Sequence, residues 1–206
     1  MHTTFVAVST YPNADLLLSA AHPRHFPADL GAEVAFAGRS NAGKSSAINA
    51  IVGRRALART AKTPGRTRLL NFFELAPGCR IVDLPGYGYA EASAAERATW
   101  APMTTALAQR ASLRGLYLII DSRRGVLAGD EGLIAWAAAV HCPVHVLLSK
   151  TDKLKRAELV QAVAAARRAL AELATVQAFS AVDGTGLDDA RRQLHQWFHK
   201  VKGPGG

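Results

Sequence analysis

Eight consecutive residues near position 40 combine glycine, lysine and hydroxyl side chains in a spacing that can bind phosphate. They are Gly38-Arg39-Ser40-Asn41-Ala42-Gly43-Lys44-Ser45, and they follow an apolar run and precede a helix-like stretch. Glycine lets the backbone turn its N–H groups inward toward an anion. Lys44 can reach the β- and γ-phosphates of a nucleotide, and the hydroxyl of Ser45 can bind Mg²⁺. A strand, a glycine-rich loop and a helix in this order predict a phosphate-binding loop.

A phosphate-binding loop alone is compatible with a kinase, an ATPase or a GTPase, and a second motif narrows the choice. Asp83-Leu84-Pro85-Gly86 ends a predicted strand as Asp-x-x-Gly. Its carboxylate can hold Mg²⁺ through a water molecule, and the N–H of Gly86 can meet a γ-phosphate. Because many strands end in aspartate, this motif discriminates little by itself.

A third motif, Ser149-Lys150-Thr151-Asp152, indicates which base is bound. The Asp152 carboxylate can accept hydrogen bonds from guanine N1–H and from the exocyclic amine, whereas adenine presents neither donor. A bidentate base contact of this kind discriminates by roughly 1–3 kcal/mol. Lys150 can lay its aliphatic stem along the base. The segment Phe179-Ser180-Ala181 ends a later strand, where backbone N–H groups can contact the guanine oxygen.

Short β-rich runs alternate with helical patterns along the chain and predict an α/β fold. Several runs are continuously apolar, which is typical of strands covered on both faces of a parallel sheet. A tight connection at Ala76-Pro77-Gly78 allows only an antiparallel hairpin. We therefore expect a six-stranded, mostly parallel sheet with one antiparallel strand and helices on both faces. The predicted strands are 33–37, 69–75, 79–84, 115–121, 143–149 and 175–180.

The chain is basic, with a formal net charge of +9 over 206 residues. Positions 34–73 contain no acidic residue. A basic surface favours a polyanionic partner such as nucleic acid or an anionic membrane. The cations of this region border the phosphate loop, so a partner bound there could sense the nucleotide. They are Arg39, Lys44, Arg54, Arg55, Arg59, Lys62, Arg66 and Arg68.

Length and composition predict a single soluble domain, since 49% of residues are hydrophobic and 20% are charged. Two cysteines, Cys79 and Cys142, are too few for a disulfide framework, and no basic secretory segment precedes them. We expect free thiols in a reducing cytoplasm. The most apolar stretch, 133–148, is too short and too interrupted by histidine and proline for a bilayer span, so no membrane span is expected.

The order of these motifs resembles the GTPase superfamily, and more narrowly the EngB/YihA family of bacterial ribosome-assembly GTPases in the TrmE-Era-EngA-EngB-Septin-like class. Besides the phosphate loop and Ser46, two segments carry the resemblance: Lys62-Thr63-Pro64-Gly65-Arg66-Thr67 leading into Asn71-Phe72-Phe73, and Asp83-Leu84-Pro85-Gly86-Tyr87-Gly88-Tyr89-Ala90. The resemblance covers about 33–202. The lead-in at 1–32 and the tail at 203–206 lie outside it. We expect the tail to be disordered.

This resemblance implies a Ras-like fold, Mg²⁺-dependent GTP hydrolysis, a role in maturation of the large ribosomal subunit, and a requirement for normal cell division and septation. It implies a monomer that binds GTP and GDP and contacts the large subunit or its rRNA. Ser45 and Thr67 would be the Mg²⁺ ligands, Gly65 to Leu69 the first switch, and Lys44, Thr67 and Gly86 the catalytic residues. The implied nucleotide-binding residues are Gly38, Arg39, Ser40, Asn41, Ala42, Gly43, Lys44, Ser45, Ser46, Gly65, Arg66, Thr67, Arg68, Leu69, Asp83, Leu84, Pro85, Gly86, Ser149, Lys150, Thr151, Asp152, Phe179, Ser180 and Ala181.

Two positions depart from the expected chemistry. The family usually has threonine where this chain has Ser149, which keeps the hydroxyl and loses a methyl group. Ras-type enzymes use a glutamine after Asp-x-x-Gly to orient water, and this chain has Tyr87, so we expect slow unassisted turnover. Two candidates could accelerate GTP hydrolysis, the ribosome and K⁺. The potassium candidate rests on Asn41, which matches the residue that coordinates K⁺ in potassium-activated relatives.

Three functional interpretations follow from the sequence. The first is a GTP-hydrolysing switch that docks on ribosomal RNA or protein. The second is a nucleotide-gated binding module whose hydrolysis is incidental, as the tyrosine at position 87 suggests. The third is a P-loop kinase or ATPase, against which the motif ending in Asp152 argues.

Overall fold

A single mixed β-sheet organises the chain. The computed structural model describes residues 10–60, 69–87 and 102–199. Within them the sheet has seven strands in the order β1-β3-β4-β2-β5-β6-β7. The strands are β1 (Asp15–Ala20), β2 (Ala32–Gly38), β3 (Leu70–Ala76), β4 (Cys79–Asp83), β5 (Leu113–Asp121), β6 (Val144–Ser149) and β7 (Thr175–Ala178).

Helices cover both faces of this sheet, as the sequence predicts. They are α1 (Lys44–Val52), α2 (Leu57–Thr60), α3 (102–108), α4 (Ala128–Ala139), α5 (Arg156–Leu170) and α6 (Leu187–His199), with short 3-10 turns at Pro23–His25, Thr151–Lys153 and Ala171–Leu173. Side chains of α1, α2 and α6 pack in one apolar core, and those of α3, α4 and α5 pack in the other. Because successive strand residues point to opposite faces, β5 contributes Leu116 and Leu118 to one core and Tyr117 and Ile119 to the other.

The α/β class and the largely parallel arrangement are confirmed. Strand β3 pairs antiparallel with both β1 and β4, while the pairs β2–β4, β2–β5, β5–β6 and β6–β7 are parallel. The β3–β4 hairpin turns at Pro77-Gly78, where Gly78 has φ of 74°. The six predicted strands are all present, with bounds that shift by two residues or fewer at each end.

The predicted count of six strands is wrong, because the lead-in contains the edge strand β1. Its register to β3 shifts between Leu16 and Leu18, so these two leucines pack against opposite cores. Strict alternation is the sequence signal of a half-buried strand, and this bulge removes it. Leu17 stays 44% exposed, which is ordinary for an edge strand.

The lead-in is fastened to the sheet at the end opposite the phosphate loop by a buried charge network. Glu33 is fully buried and accepts hydrogen bonds from Arg80 Nε at 2.9 Å and Arg110 Nε at 2.6 Å. The same two guanidinium groups donate to the backbone oxygen of Ala28, and Arg110 also donates to that of Pro27 at 3.0 Å. The segment before β2 is therefore bonded to the sheet by its main chain.

Candidate nucleotide site at the carboxyl ends of the strands

The phosphate loop connects β2 to α1, and its backbone conformation explains its glycines. Gly43 has φ of 99° immediately before the first residue of α1, a conformation that L side chains rarely adopt. A Cβ atom on Gly38 would lie 2.8 Å from the backbone oxygen of Ile119, so β2 and β5 could not pair as they do with a larger residue there. The loop thus brings the N-terminus of α1, where the N–H groups of the first turn have no partner within the helix, to the carboxyl end of the sheet.

The Asp-x-x-Gly motif lies directly beside this loop. The Lys44 ammonium forms an ion pair with the Asp83 carboxylate, and the two side chains are only 9% and 3% exposed. Leu84 N–H donates to the backbone oxygen of Phe36 at 2.9 Å, which continues the pairing of β4 with β2. A Cβ on Gly86 would come within 3.3 Å of Ser40 Cα, so the chain passes very close to the loop. These contacts bring together the groups that the sequence assigns to phosphate and Mg²⁺.

The base-recognition motif is tied to the phosphate loop through Lys150 and Ser149. Lys150 Nζ donates to the backbone oxygen of Asn41 at 2.6 Å, and Lys150 itself has φ of 62°. Ser149 Oγ donates to the backbone oxygen of Ala42 at 2.5 Å, so the hydroxyl shared by serine and threonine has a structural use here. The Lys150 stem passes 3.8 Å from the position of a Cβ on Gly43. Base and phosphate motifs therefore form one continuous surface.

Asp121, at the end of β5, is a site residue that sequence reasoning missed. Its carboxylate accepts Lys150 Nζ at 2.9 Å and two hydrogen bonds from the Arg123 guanidinium, at 2.9 and 2.7 Å. The hydrogen bonds from Arg123, followed by those from Lys150, hold the pKa of Asp121 well below its usual range despite partial burial. The available signal was an aspartate ending a buried strand, which discriminates little without a motif such as the Asp-x-x-Gly that contains Asp83.

Asp152 is oriented by neighbours from the last two strands. Ser180 Oγ donates to Asp152 Oδ1 at 2.8 Å, and Lys153 Nζ lies 3.1 Å from Asp152 Oδ2. Thr151 Oγ1 donates to the backbone oxygen of Phe179 at 3.0 Å, which joins the two segments of the predicted base site. Desolvation raises the pKa of Asp152, but the hydrogen bonds from Ser180 and Lys153 outweigh it and keep that pKa below the usual value. The carboxylate is thus ionised and available to accept hydrogen bonds.

Part of the predicted site lies outside the described residues. The residues outside the described ranges include Gly65, Arg66, Thr67 and Arg68 of the predicted site, the basic residue Lys62 and the tail 203–206. Of the proposed first switch, Leu69 alone is described, and it directly precedes β3. The assignment of Thr67 as a Mg²⁺ ligand therefore stays a prediction.

The described residues fit a Mg²⁺ ion held mainly by hydroxyl and phosphate oxygens. Ser45 lies in the first turn of α1 next to Lys44, and the carboxylate of Asp83 contacts that lysine. Magnesium prefers few protein ligands together with substrate phosphates and water. Within residues 10–60, 69–87 and 102–199, no group of three or more His, Cys, Asp or Glu side chains is arranged to hold a metal.

Fold and loop order together define the class of protein, which is a P-loop GTPase domain. A model of the 50S ribosome-binding GTPase family matches residues 33–150. The chain is 45% identical over 200 residues to a probable GTP-binding protein EngB of Coxiella burnetii, covering 95% of this chain and 98% of that protein. It is 46% identical over 190 residues to the same-named protein of Tolumonas auensis, covering 90% of each. The chain therefore belongs to the EngB family of GTP-binding proteins.

Solved structures support the fold. The crystal structure of a probable GTP-binding protein engB matches with a TM-score of 0.67 at 22% identity, covering 82% of this chain and 100% of that one. Era in complex with MgGDPNP and a 16S ribosomal RNA segment matches with a TM-score of 0.61 at 20% identity, covering 86% of this chain and 60% of that one. Among the helices of the described ranges, none is long and apolar enough to cross a bilayer.

Proposed function

We propose that the protein binds GTP, hydrolyses it to GDP and phosphate, and acts as a nucleotide switch in assembly of the large ribosomal subunit in the cytoplasm. One observation carries the nucleotide part of this proposal. Lys150 joins Asn41 of the phosphate loop to Asp121, while Asp152, two residues on, presents a carboxylate oriented by Ser180. A base that offers two adjacent donors fits that carboxylate, and guanine does so whereas adenine does not.

Binding of a triphosphate requires the loop residues to exchange partners. Lys44 would leave Asp83 for the phosphate oxygens, and the loop N–H groups would donate to the same anion. Mg²⁺, when bound, neutralises charge that develops between the β- and γ-phosphates. Ser45 and Thr67 would hold the ion directly and Asp83 through water. Ser45 would do so with either nucleotide, and Thr67 only with the triphosphate.

Hydrolysis transfers the γ-phosphoryl group to water, and this chain offers little help in orienting that water. Tyr87 occupies the position of the Ras glutamine, and its hydroxyl donates to Asp130 Oδ1 at 2.6 Å. Burial, followed by the hydrogen bond to Asp130, raises the pKa of Tyr87 far above its usual value. The phenol therefore stays protonated and cannot accept a proton from the attacking water. Intrinsic turnover is then expected to be slow, on the order of 10⁻⁴ to 10⁻² per second. Acceleration would come from the ribosome, or from K⁺ beside Asn41.

The ribosomal part of the proposal is supported by family and by charge. The matching family is described as 50S ribosome-binding GTPases. The net charge of +9 suits a polyanionic partner such as rRNA. A role in large-subunit assembly would explain a requirement for normal division and septation, because growth depends on ribosome supply. A nucleotide-gated binding module with incidental hydrolysis remains the second candidate, and Tyr87 is the observation that favours it.

A turnover assay separates the two candidates. Phosphate release from GTP is measured for the full chain alone, with large subunits and with small subunits, in K⁺ and in Na⁺ buffers. The proposal predicts that large subunits stimulate turnover, that small subunits have little effect, and that the Lys44→Ala variant is not stimulated. GTP-dependent subunit binding without stimulated turnover would favour the binding module, and turnover of ATP at a similar rate would contradict both.

A further inference from the structure

The chain that follows Gly86 is bonded to the phosphate loop through its backbone. Tyr87 forms a parallel bridge with Arg39, in which Ser40 N–H donates to the Tyr87 oxygen at 3.0 Å and Tyr87 N–H donates to the Gly38 oxygen at 3.4 Å. This pairing lies beyond the end of β4 and is shifted by one residue from the β2–β4 register, in which Arg39 would face Gly86. The position of Gly86 is therefore coupled to that of Tyr87, one residue later.

The Tyr87 side chain connects the same point to helix α4. Its hydroxyl donates to Asp130 Oδ1 at 2.6 Å, and the other carboxylate oxygen of Asp130 accepts the N–H of Leu127 at 2.9 Å. Asp130 is fully buried, so its carboxylate has lost contact with water, and both of its oxygens accept hydrogen bonds from described residues. The Tyr87 ring packs against the core that contains α4, and a Cβ on Gly129 would lie 3.8 Å from the ring. The tyrosine thus bridges the phosphate loop and the first turn of α4.

We propose that Tyr87 is a positioning residue, whose bond to Asp130 fixes Gly86 where its N–H can meet a γ-phosphate. The pair then sets the preference of the site for triphosphate over diphosphate. GDP has no γ-phosphate and makes no use of Gly86, so its affinity is insensitive to the bond. This inference rests on the proposed nucleotide site.

The predicted effect follows from the type of hydrogen bond. A bond between a hydroxyl and a buried carboxylate is charge-assisted and stronger than a neutral one. We expect its loss to reduce affinity for the triphosphate about tenfold, which is the effect of about 1.4 kcal/mol. The phenol stays protonated over the physiological range, so the bond is present at every pH at which the protein is assayed.

Three single variants of the full chain provide the test. Tyr87→Phe deletes one oxygen, and Asp130→Ala removes the acceptor. Asp130→Asn is the matched control, because its carbonyl can accept the Leu127 N–H while its NH₂ group donates to the Tyr87 oxygen. Affinities for fluorescent GDP and for a fluorescent non-hydrolysable GTP analogue are measured with Mg²⁺. Melting temperature is recorded for each variant.

We expect Tyr87→Phe and Asp130→Ala to lose about tenfold in affinity for the GTP analogue while GDP affinity stays within about twofold, and Asp130→Asn to keep most of the wild-type ratio. Equal losses for both nucleotides would overturn the inference, as would unchanged affinities. If Asp130→Ala does not fold, Tyr87→Phe decides alone. Failure of the wild-type protein to bind GDP would instead refute the proposed function, which keeps the two failures distinguishable.

Discussion

Replacing Asp121 by asparagine tests the link between the base motif and the phosphate loop. The Asp121 side chain is 6% exposed and accepts Lys150 Nζ at 2.9 Å. The substitution turns a charge-assisted hydrogen bond, worth about 1.5–3 kcal/mol, into a neutral one worth about 0.5–1.5 kcal/mol. The difference is about 1–2 kcal/mol. Lys150 is not released completely, because it keeps its bond to the Asn41 oxygen. Affinities for GDP and GTP should therefore both fall by about 5- to 30-fold.

Arg123→Ala supplies the control for this experiment. Arg123 makes more hydrogen bonds to Asp121 than Lys150 does, but its side chain is 48% exposed and solvent screens it. We expect nucleotide affinity to change by less than about twofold in this variant. Equilibrium titration of fluorescent GDP at low and moderate salt measures both variants. The reasoning is refuted if Arg123→Ala weakens binding as much as Asp121→Asn, or if Asp121→Asn folds normally and binds like wild type.

Three further predictions concern the switch, the core and pH. Thr67→Ala should weaken binding of a GTP analogue and leave GDP affinity near normal, because its hydroxyl would bind Mg²⁺ only with triphosphate; equal losses would mean that another residue is the switch threonine. Glu33→Ala should lower the free energy of unfolding by about 3–5 kcal/mol in urea titrations, because it leaves two buried guanidinium groups without their carboxylate. The control Asp189→Ala removes an exposed ion pair and should cost less than about 1 kcal/mol. Burial lowers the pKa of His145, so on acidification the unfolded state takes up a proton at this histidine before the folded state does. The free energy of unfolding should therefore fall as pH drops below about 6.5, with no contribution from this group above that pH. His145→Gln should remove that part of the pH slope, and an unchanged slope would contradict the assignment.

Burial is what lowers the pKa of His145, and the polar neighbours of the ring offset part of that effect. The Gln177 amide NH₂ donates to the backbone oxygen of Gly186 at 2.7 Å, so the Gln177 carbonyl faces the ring and accepts from His145 Nε2 at 2.8 Å. Nδ1 then carries a lone pair and lies 2.6 Å from Thr175 Oγ1, which can donate to it. The ring also packs edge-on against Trp197, and the loss of water at this position disfavours the charged form. The hydrogen bond to Gln177, followed by the negative charge of Asp189, raises the pKa of His145 but does not outweigh burial.

The phosphate loop and the base motif were predictable because each is a short run of residue types that carries its own chemistry. Several of the six predicted strands were recognisable because strands buried on both faces of a parallel sheet are continuously apolar, and the β3–β4 hairpin was recognisable from its short Pro77-Gly78 connection. Edge strand β1 was not, since the bulge between Leu16 and Leu18 erases its period. The contacts Asp121–Lys150 and Tyr87–Asp130 join residues 29 and 43 positions apart, and only the fold brings them together.

A nucleotide competition experiment tests guanine recognition by Asp152. Labelled GDP bound to the full chain is displaced with GTP, ATP and XTP, for wild type and for Asp152→Asn. We expect GTP to displace the label from wild type, and ATP at similar concentrations to leave it bound. Asp152→Asn should lose affinity for GTP and gain it for XTP, because an amide can donate to the C2 oxygen of xanthine while accepting its N1–H. Displacement by ATP as effective as displacement by GTP would mean that the site does not select guanine.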